Sequence, residues 1–292
     1  MNAEIHSFKL GTFDCMSVSD GTMTYAPPMF PPPATFLFLN AEAQRRHRVL
    51  SDHGLEAEGW AEWTSGYTCL VVNTGKHLVL VDTGAGALGP DTGKLIKNLQ
   101  SVSITPGDID TVILTHGHPD HIGGVTDENG RTVYLNARYF MWKTEWDFWT
   151  SGQAEATLDE HSRAVLVGIA RKNLPPIQKQ VELVDAEAEI VPGIRALAAP
   201  GHTLGQMALE ITSGGEKLLY TSDVFLHPVH LEQPGWCAAV DLIPGEVVAT
   251  RHRLLDKAAS DKSMVFAFHL PFPALGRVVS KGDAWSWQPL AS

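Results

Sequence analysis

From residue 66 onward, short apolar runs alternate with longer segments of helical period. Residues 67–73 (YTCLVVN) and 77–81 (HLVLV) are β-rich runs separated by Thr74-Gly75-Lys76, which predicts a hairpin. Asp82-Thr83-Gly84-Ala85-Gly86 then turns. Asp91 or Thr92 can cap a helix through Gln100 that places Leu95, Ile96 and Leu99 on one face. Residues 111–115 (TVILT) read as a buried strand and 132–135 as another short one. Residues 137–149 read as a helix carrying Tyr139, Phe140, Trp142, Trp146, Phe148 and Trp149. A second helix covers 154–172 and stops at Pro175-Pro176. Strands resume at 181–184, 194–198, 206–212, 217–221 and 263–268. Between the last two, 246–259 predicts an amphipathic helix with Pro244 near its start. Strands alternating with helices predict an α/β chain with helix-covered sheets. We expect a single domain over 1–292, with N-terminal strands and a proline-rich arm in 1–65 and the core in 66–277.

That arm, residues 26–33 (APPMFPPP), is expected to be an extended surface segment, because proline fixes the backbone and removes donors. It reads either as a stiff connector or as an arm on a partner subunit or beside a pocket. If Met29, Phe30, Phe36, Leu37 and Phe38 are exposed together, they make an apolar patch suited to a homodimer contact. Alternatively, residues 36–39 pack on their own domain.

Composition narrows the function. Hydrophobic residues at 44% and charged residues at 19% describe a chain that buries a core, which excludes a disordered or fibrous one. A net charge of −11 gives no footprint for a phosphate backbone, so nucleic acid is not an expected partner. We read no signal peptide at the start and no membrane span, and expect a cytoplasmic protein. Cys15, Cys69 and Cys237 are too few and too scattered for a disulfide framework or a CxxC metal pair. The 13 histidines carry more information, histidine being a common metal ligand.

Four of the potential ligands stand together. His116, His118, Asp120 and His121 fall in Thr115-His116-Gly117-His118-Pro119-Asp120-His121, directly after the 111–115 strand. A strand end followed by a turn can converge such side chains on one point. His202, Asp223 and His269 each follow an apolar run in the same manner, so a sheet edge would present them to one site. Imidazole and carboxylate suit zinc, and also iron, manganese or cobalt.

On these residues the chain resembles the metallo-β-lactamase superfamily. His116, His118, Asp120 and His121 match its HxHxDH motif, and His202, Asp223 and His269 match its later ligands in order. The resemblance implies an αββα sandwich with two divalent metal ions, zinc foremost, at one edge. It implies His116, His118 and His202 on the first ion, Asp120, His121 and His269 on the second, and Asp223 bridging both. Asp82 matches an early aspartate that orients a ligand histidine.

Within that superfamily, the redox branch has a Glu where this chain has His118, and thiolate β-lactamases have a Cys where it has Asp223. The short stretch after His269 argues against the glyoxalase branch, and no RNA-binding insertion is visible. The segment His269-Leu270-Pro271-Phe272-Pro273-Ala274-Leu275-Gly276 is similar to HxPFPxxG of the methyl parathion hydrolase-like and lactonase group. Ser19-Asp20-Gly21 matches that group's opening. Some acyl-homoserine lactonases place a Tyr where this chain has Leu226.

The resemblance implies a hydrolase that cleaves a small-molecule lactone or ester with a metal-bridging hydroxide, Asp120 orienting it and helping to protonate the leaving alkoxide. Phosphotriester hydrolysis, or metal sensing without turnover, are the alternatives. Candidate pocket residues are Phe272, Leu226, Trp60, Trp63, Trp142 and Trp146, each of which can equally be core. His227 and His230 are either extra proton shuttles or ordinary loop histidines.

Overall fold

The computed structural model describes residues 4–290. Fourteen strands form two seven-stranded sheets among these residues. The first sheet has strand order β1(Ile5–Leu10), β2(Phe13–Tyr25), β3(Trp63–Asn73), β4(Leu78–Val81), β5(Thr111–Ile113), β6(Arg138–Trp142), β7(Val181–Val184). The second comprises β8(Glu189–Val191), β9(Ile194–Ala198), β10(Met207–Ser213), β11(Glu216–Tyr220), β12(Met264–Phe266), β13(Leu275–Lys281) and β14(Ala284–Pro289), adjacent in that order. The chain therefore completes one sheet before starting the other. Helices are α1(Pro33–Leu37), α2(Ala43–Asp52), α3(Leu95–Ser101), α4(Pro119–Ile122), α5(Lys143–Thr150), α6(Gln153–Thr157), α7(Glu160–Asn173), α8(Val229–Glu232) and α9(Pro244–Asp261).

The period-2 pattern of the second sheet shows why it is covered on both faces. Met207, Leu209, Ile211, Leu218, Tyr220 and Phe266 point into the core shared with the first sheet. The intervening Ala208, Leu219 and Val265 point the other way, onto Leu254, Leu255 and Ala258 of α9. The result is the expected αββα sandwich. Parallel pairing joins β4 to β5, β5 to β6, β6 to β7 and β11 to β12. Each parallel pair requires a crossover, and the helices supply it. The expected ligands all follow carboxyl ends of strands, His202 and His269 in the antiparallel connections β9–β10 and β12–β13 and the rest in crossovers, so they collect at one edge.

Several local expectations change. Residues 138–142 are strand β6, and the helix begins only at Lys143. Pairing with β5 and β7 overrides the helical reading of this aromatic run. The expected 154–172 helix is two helices, because Asp159 interrupts it and accepts from the Ser162 amide at 3.1 Å, capping the second. Residues 132–135 form no strand; Thr132 makes one isolated bridge to Thr126. The proline-rich arm is not extended throughout: α1 starts at Pro33, where proline suits a first helical turn. Phe36, Leu37 and Phe38 are buried in a cluster with Trp63, Leu226 and Trp236. The arm thus packs on its own domain, and of the expected patch only Met29 is strongly exposed, at 62%. The residues before 66 also belong to the first sheet, since β2 pairs with β3 from Asp14 to Tyr25.

Asp20 on β2 ties this sheet to the loop after β4. It is buried and accepts the amides of Ala85 (2.8 Å), Gly93 (3.2 Å) and Leu95 (3.0 Å). Burial outweighs those donors and pushes its carboxyl up to about 6. An acid harder to ionise in the fold than in the unfolded chain gives stability that is full below about pH 4 and is lost as pH rises through about 6. The shift is equivalent to about 3 kcal/mol. Urea unfolding of the metal-free chain between pH 4 and 7 should show this descent, and Asp20→Asn should flatten it. Parallel profiles for the two proteins would remove Asp20 as its source.

Candidate metal centre

The site is built around a buried carboxylate. Asp82 follows β4 with a left-handed backbone (φ 59°), which turns its side chain into the junction of the two sheets. Its Oδ1 accepts the Thr115 amide at 2.8 Å. Its Oδ2 accepts the Thr115 hydroxyl (2.9 Å), the Tyr220 hydroxyl (2.8 Å) and pairs with His121 Nδ1 (2.8 Å). Thr115 and His121 follow β5 in the first sheet, whereas Tyr220 ends β11 in the second. One carboxylate therefore fastens both sheets and fixes the tautomer of His121, whose other nitrogen must face the site.

The HxHxDH segment turns sharply from β5 into α4. His118 occupies the extended position before the helix and Pro119 its first turn, and His118 joins a different donor group from Asp120 and His121. His202 follows β9, Asp223 follows β11 and His269 follows β12. All seven expected ligands are buried, and they fall into two groups of donor atoms. His116, His118, His202 and Asp223 form one; Asp120, His121, His269 and Asp223 form the other, each with its atoms within 4.8 Å of one another. Asp223 stands between them, with Oδ2 3.4 Å from His202 Nε2 and 2.8 Å from His269 Nε2, and Oδ1 3.3 Å from His121 Nε2.

Four of the five imidazoles have their outward nitrogen engaged, His121 on Asp82 as above, while His118 Nδ1 meets His202 Nε2 at 2.9 Å. His202 Nδ1 meets Asp241 (2.8 Å), His269 Nδ1 meets Ser65 (2.9 Å), and His116 Nδ1 meets Thr115 Oγ1 (3.3 Å). The inward atoms are different. His116 Nε2, His121 Nε2 and Asp223 Oδ1 are buried with no hydrogen-bond partner. Such atoms are costly unless something else satisfies them, and two cations coordinated there would do so. Electrostatics agree. Burial, followed by the neighbouring imidazoles His121 and His202, holds His116 and His118 well below the usual histidine range, as neutral ligands. Burial alone would raise Asp223, but His269 and His121 hold it well below the usual carboxylate range. Burial would also lower His121, yet Asp223, Asp82 and Asp120 push it well above. The centre concentrates negative charge that divalent cations can balance.

Asp241, Ser65 and Glu145 were not foreseen. Glu145 is buried beneath the ligand loops and accepts the Gly117 and Gly205 amides. Its signal was an acid on an aromatic stretch, one turn before Trp149, whose indole it accepts at 2.6 Å. Asp241 and Ser65 carry no comparable local signal. Among the pocket candidates, Trp63 lies near the centre, its ring centroid 6.4 Å from that of His269. Leu226 and Trp60 belong to the same arm cluster, and Phe272 is half-buried after His269. Trp146 is buried in the principal core and Trp142 packs against it. His230 Nε2 donates to the Leu37 carbonyl at 2.9 Å. Burial lowers His227 to about 4 and His230 well below its usual value, so both are neutral near pH 7 and read as packing residues.

The sequence model of the metallo-β-lactamase superfamily matches residues 63–269, and the chain belongs to that superfamily. The dizinc quorum-quenching lactonase AidC, solved with an N-acyl-L-homoserine product, is similar over 99% of this chain and 98% of its own, with a TM-score of 0.88 and 27% identity. An N-acyl homoserine lactonase of Bacillus thuringiensis is 24% identical over 222 residues, 69% of this chain and 80% of the relative. An atrochrysone carboxyl ACP thioesterase of Claviceps purpurea is 28% identical over 195 residues, 66% of this chain. The chain spans only 48% of that relative's length.

Tyr220→Phe tests the fastening of the sheets. Loss of a buried hydrogen bond to a charged group should cost about 1.5–3 kcal/mol in urea unfolding of the metal-free chain. A change below about 0.5 kcal/mol would show that Asp82 does not depend on it.

Proposed function

We propose that this chain is a dinuclear metal-dependent hydrolase that opens a small-molecule lactone or cleaves a related ester. The observation that carries the reading is the pair of buried donor groups sharing Asp223, in a fold that follows a dizinc lactonase along nearly the whole chain. His116, His118 and His202 would hold one ion, Asp120, His121 and His269 the other, and Asp223 both. The donor chemistry suits zinc first, with manganese, iron or cobalt also accommodated. Bound there, the ions supply carbonyl polarisation and lower the pKa of a shared water toward about 7.

The chain's own residues do the rest. Asp120 Oδ2 lies 3.4 Å from His269 Nε2 and 3.7 Å from His121 Nε2, at the inner wall of the site. We assign it the orientation of the attacking water and the return of its proton to the leaving alkoxide. On this reading Trp63, Trp60, Leu226 and Phe272 would receive the apolar part of a substrate and keep water from it. Asp82 and Asp241 hold His121 and His202 in the ligating tautomer. No described helix is long and apolar enough to cross a membrane. The free thiols Cys15, Cys69 and Cys237 accord with a reducing compartment. The homodimer expected from the arm loses its motive with Phe36, Leu37 and Phe38 buried, and light scattering of the intact chain reads the assembly directly.

Reconstitution with each metal, followed by a panel of lactones, aryl esters and phosphotriesters, tests the reading. Lactone or ester turnover should require about two ions per chain, and Asp120→Asn should lower it by about 10²–10⁴-fold. Preferential phosphotriester turnover would reassign the substrate. Full metal loading without turnover of any class would make the protein a metal sensor. Asp223→Ala should reduce both ions together; full metal content in that variant would remove Asp223 as the bridge.

A further inference from the structure

Glu145 has no part in the chemistry assigned above, yet it is fully buried and its hydrogen bonds converge on ligand-bearing loops. Its Oε1 accepts the Gly117 amide at 2.9 Å and the Trp149 indole at 2.6 Å; its Oε2 accepts the Gly205 amide at 2.8 Å. Gly117 lies between His116 and His118, and Gly205 lies just after His202. A single carboxylate thus spans the two loops that supply every imidazole of the first donor group. None of these bonds reaches the second group, where His121 and His269 lean on Asp82 and Ser65 instead.

The contact leaves little room to adjust. A Cβ on Gly117 would stand 2.2 Å from Trp149 Nε1, and one on Gly205 would stand 2.3 Å from the Glu145 backbone nitrogen. Only glycine allows either loop to approach so closely. The Trp149 ring then meets the His118 ring edge-on, with centroids 5.9 Å apart. Loop spacing and ring orientation in the first group are consequently set through the same acid. We infer that Glu145 is a positioning residue that governs affinity at the first metal position, held by His116, His118 and His202, and leaves the second unaffected. The inference rests on the reading that the two donor groups hold two ions, and is independent of the substrate.

The test is a Zn²⁺ titration of the full-length, metal-stripped chain against a chelator, which should resolve two binding steps. Glu145→Gln preserves the shape of the side chain but turns an amide toward one of its donors. One step should weaken by about 10–100-fold. The other should stay within about twofold, the scatter expected of independent sites. Single-site backgrounds identify the affected step. In His269→Ala, which disables the second group, Glu145→Gln should weaken the remaining step; in His118→Ala it should leave the remaining step unchanged. Equal weakening of both steps, no weakening, or a single step in the unaltered chain would overturn the inference. Urea unfolding of each metal-free variant reads folding separately. If Glu145→Gln does not fold, Trp149→Phe removes one donor and leaves the carboxylate in place. It should produce a smaller loss on the same side; a loss at the second position would overturn the inference. Because turnover is not read, a chain that binds both ions and hydrolyses nothing defeats the hydrolase reading alone.

Discussion

The buried carboxylate of Asp82 is the constraint around which the molecule is arranged. A charge taken out of water must be fully engaged or it destabilises the fold. Here the Thr115 amide, two hydroxyls and an imidazole meet that requirement. Those partners come from both sheets. The left-handed backbone at residue 82 is the local strain that aims the side chain, and the hydrogen bonds it gains offset that strain. Closing the sheets correctly and presenting His121 to the centre are thus one event.

Charge organises the centre at a second level. Asp120 and Asp223 lie among five buried imidazoles, and three inward atoms of that group, His116 Nε2, His121 Nε2 and Asp223 Oδ1, have no hydrogen-bond partner. The outward nitrogens are met by the hydroxyls of Ser65 and Thr115 and the carboxylates of Asp82 and Asp241. The imidazoles held by their outward nitrogens surround a space that cations would complement, a preorganised arrangement that would reduce reorganisation on binding.

The sequence made the candidate ligands legible because they follow the ends of apolar strands, and such boundaries are the most visible feature of a chain. HxHxDH, His202, Asp223 and His269 needed no tertiary information beyond the idea of a sheet edge. Strand β6 was missed because its aromatic residues satisfy helical and strand patterns alike, and pairing with two neighbours decided between them. Phe36, Leu37 and Phe38 looked like an exposed patch because their partners, Trp63, Leu226 and Trp236, are distant in sequence. Ser65 and Asp241 were invisible for the same reason: a polar residue declares its role only through what it faces.

The succession of the sheets along the chain has a consequence for how the protein comes into being. The half ending at β7 and the half beginning at β8 each complete their own hydrogen-bonded ladder. They meet along a seam. At its far end, Thr12 in the first turn bonds Ser213 through the amide (3.0 Å) and the hydroxyl (2.9 Å). At its other end, each donor group draws ligands from both halves. Neither half alone owns a complete coordination sphere, so the reactive centre exists only after the halves have docked. Cations seated there would act as a clasp whose grip grows with the separation in sequence of the segments it joins.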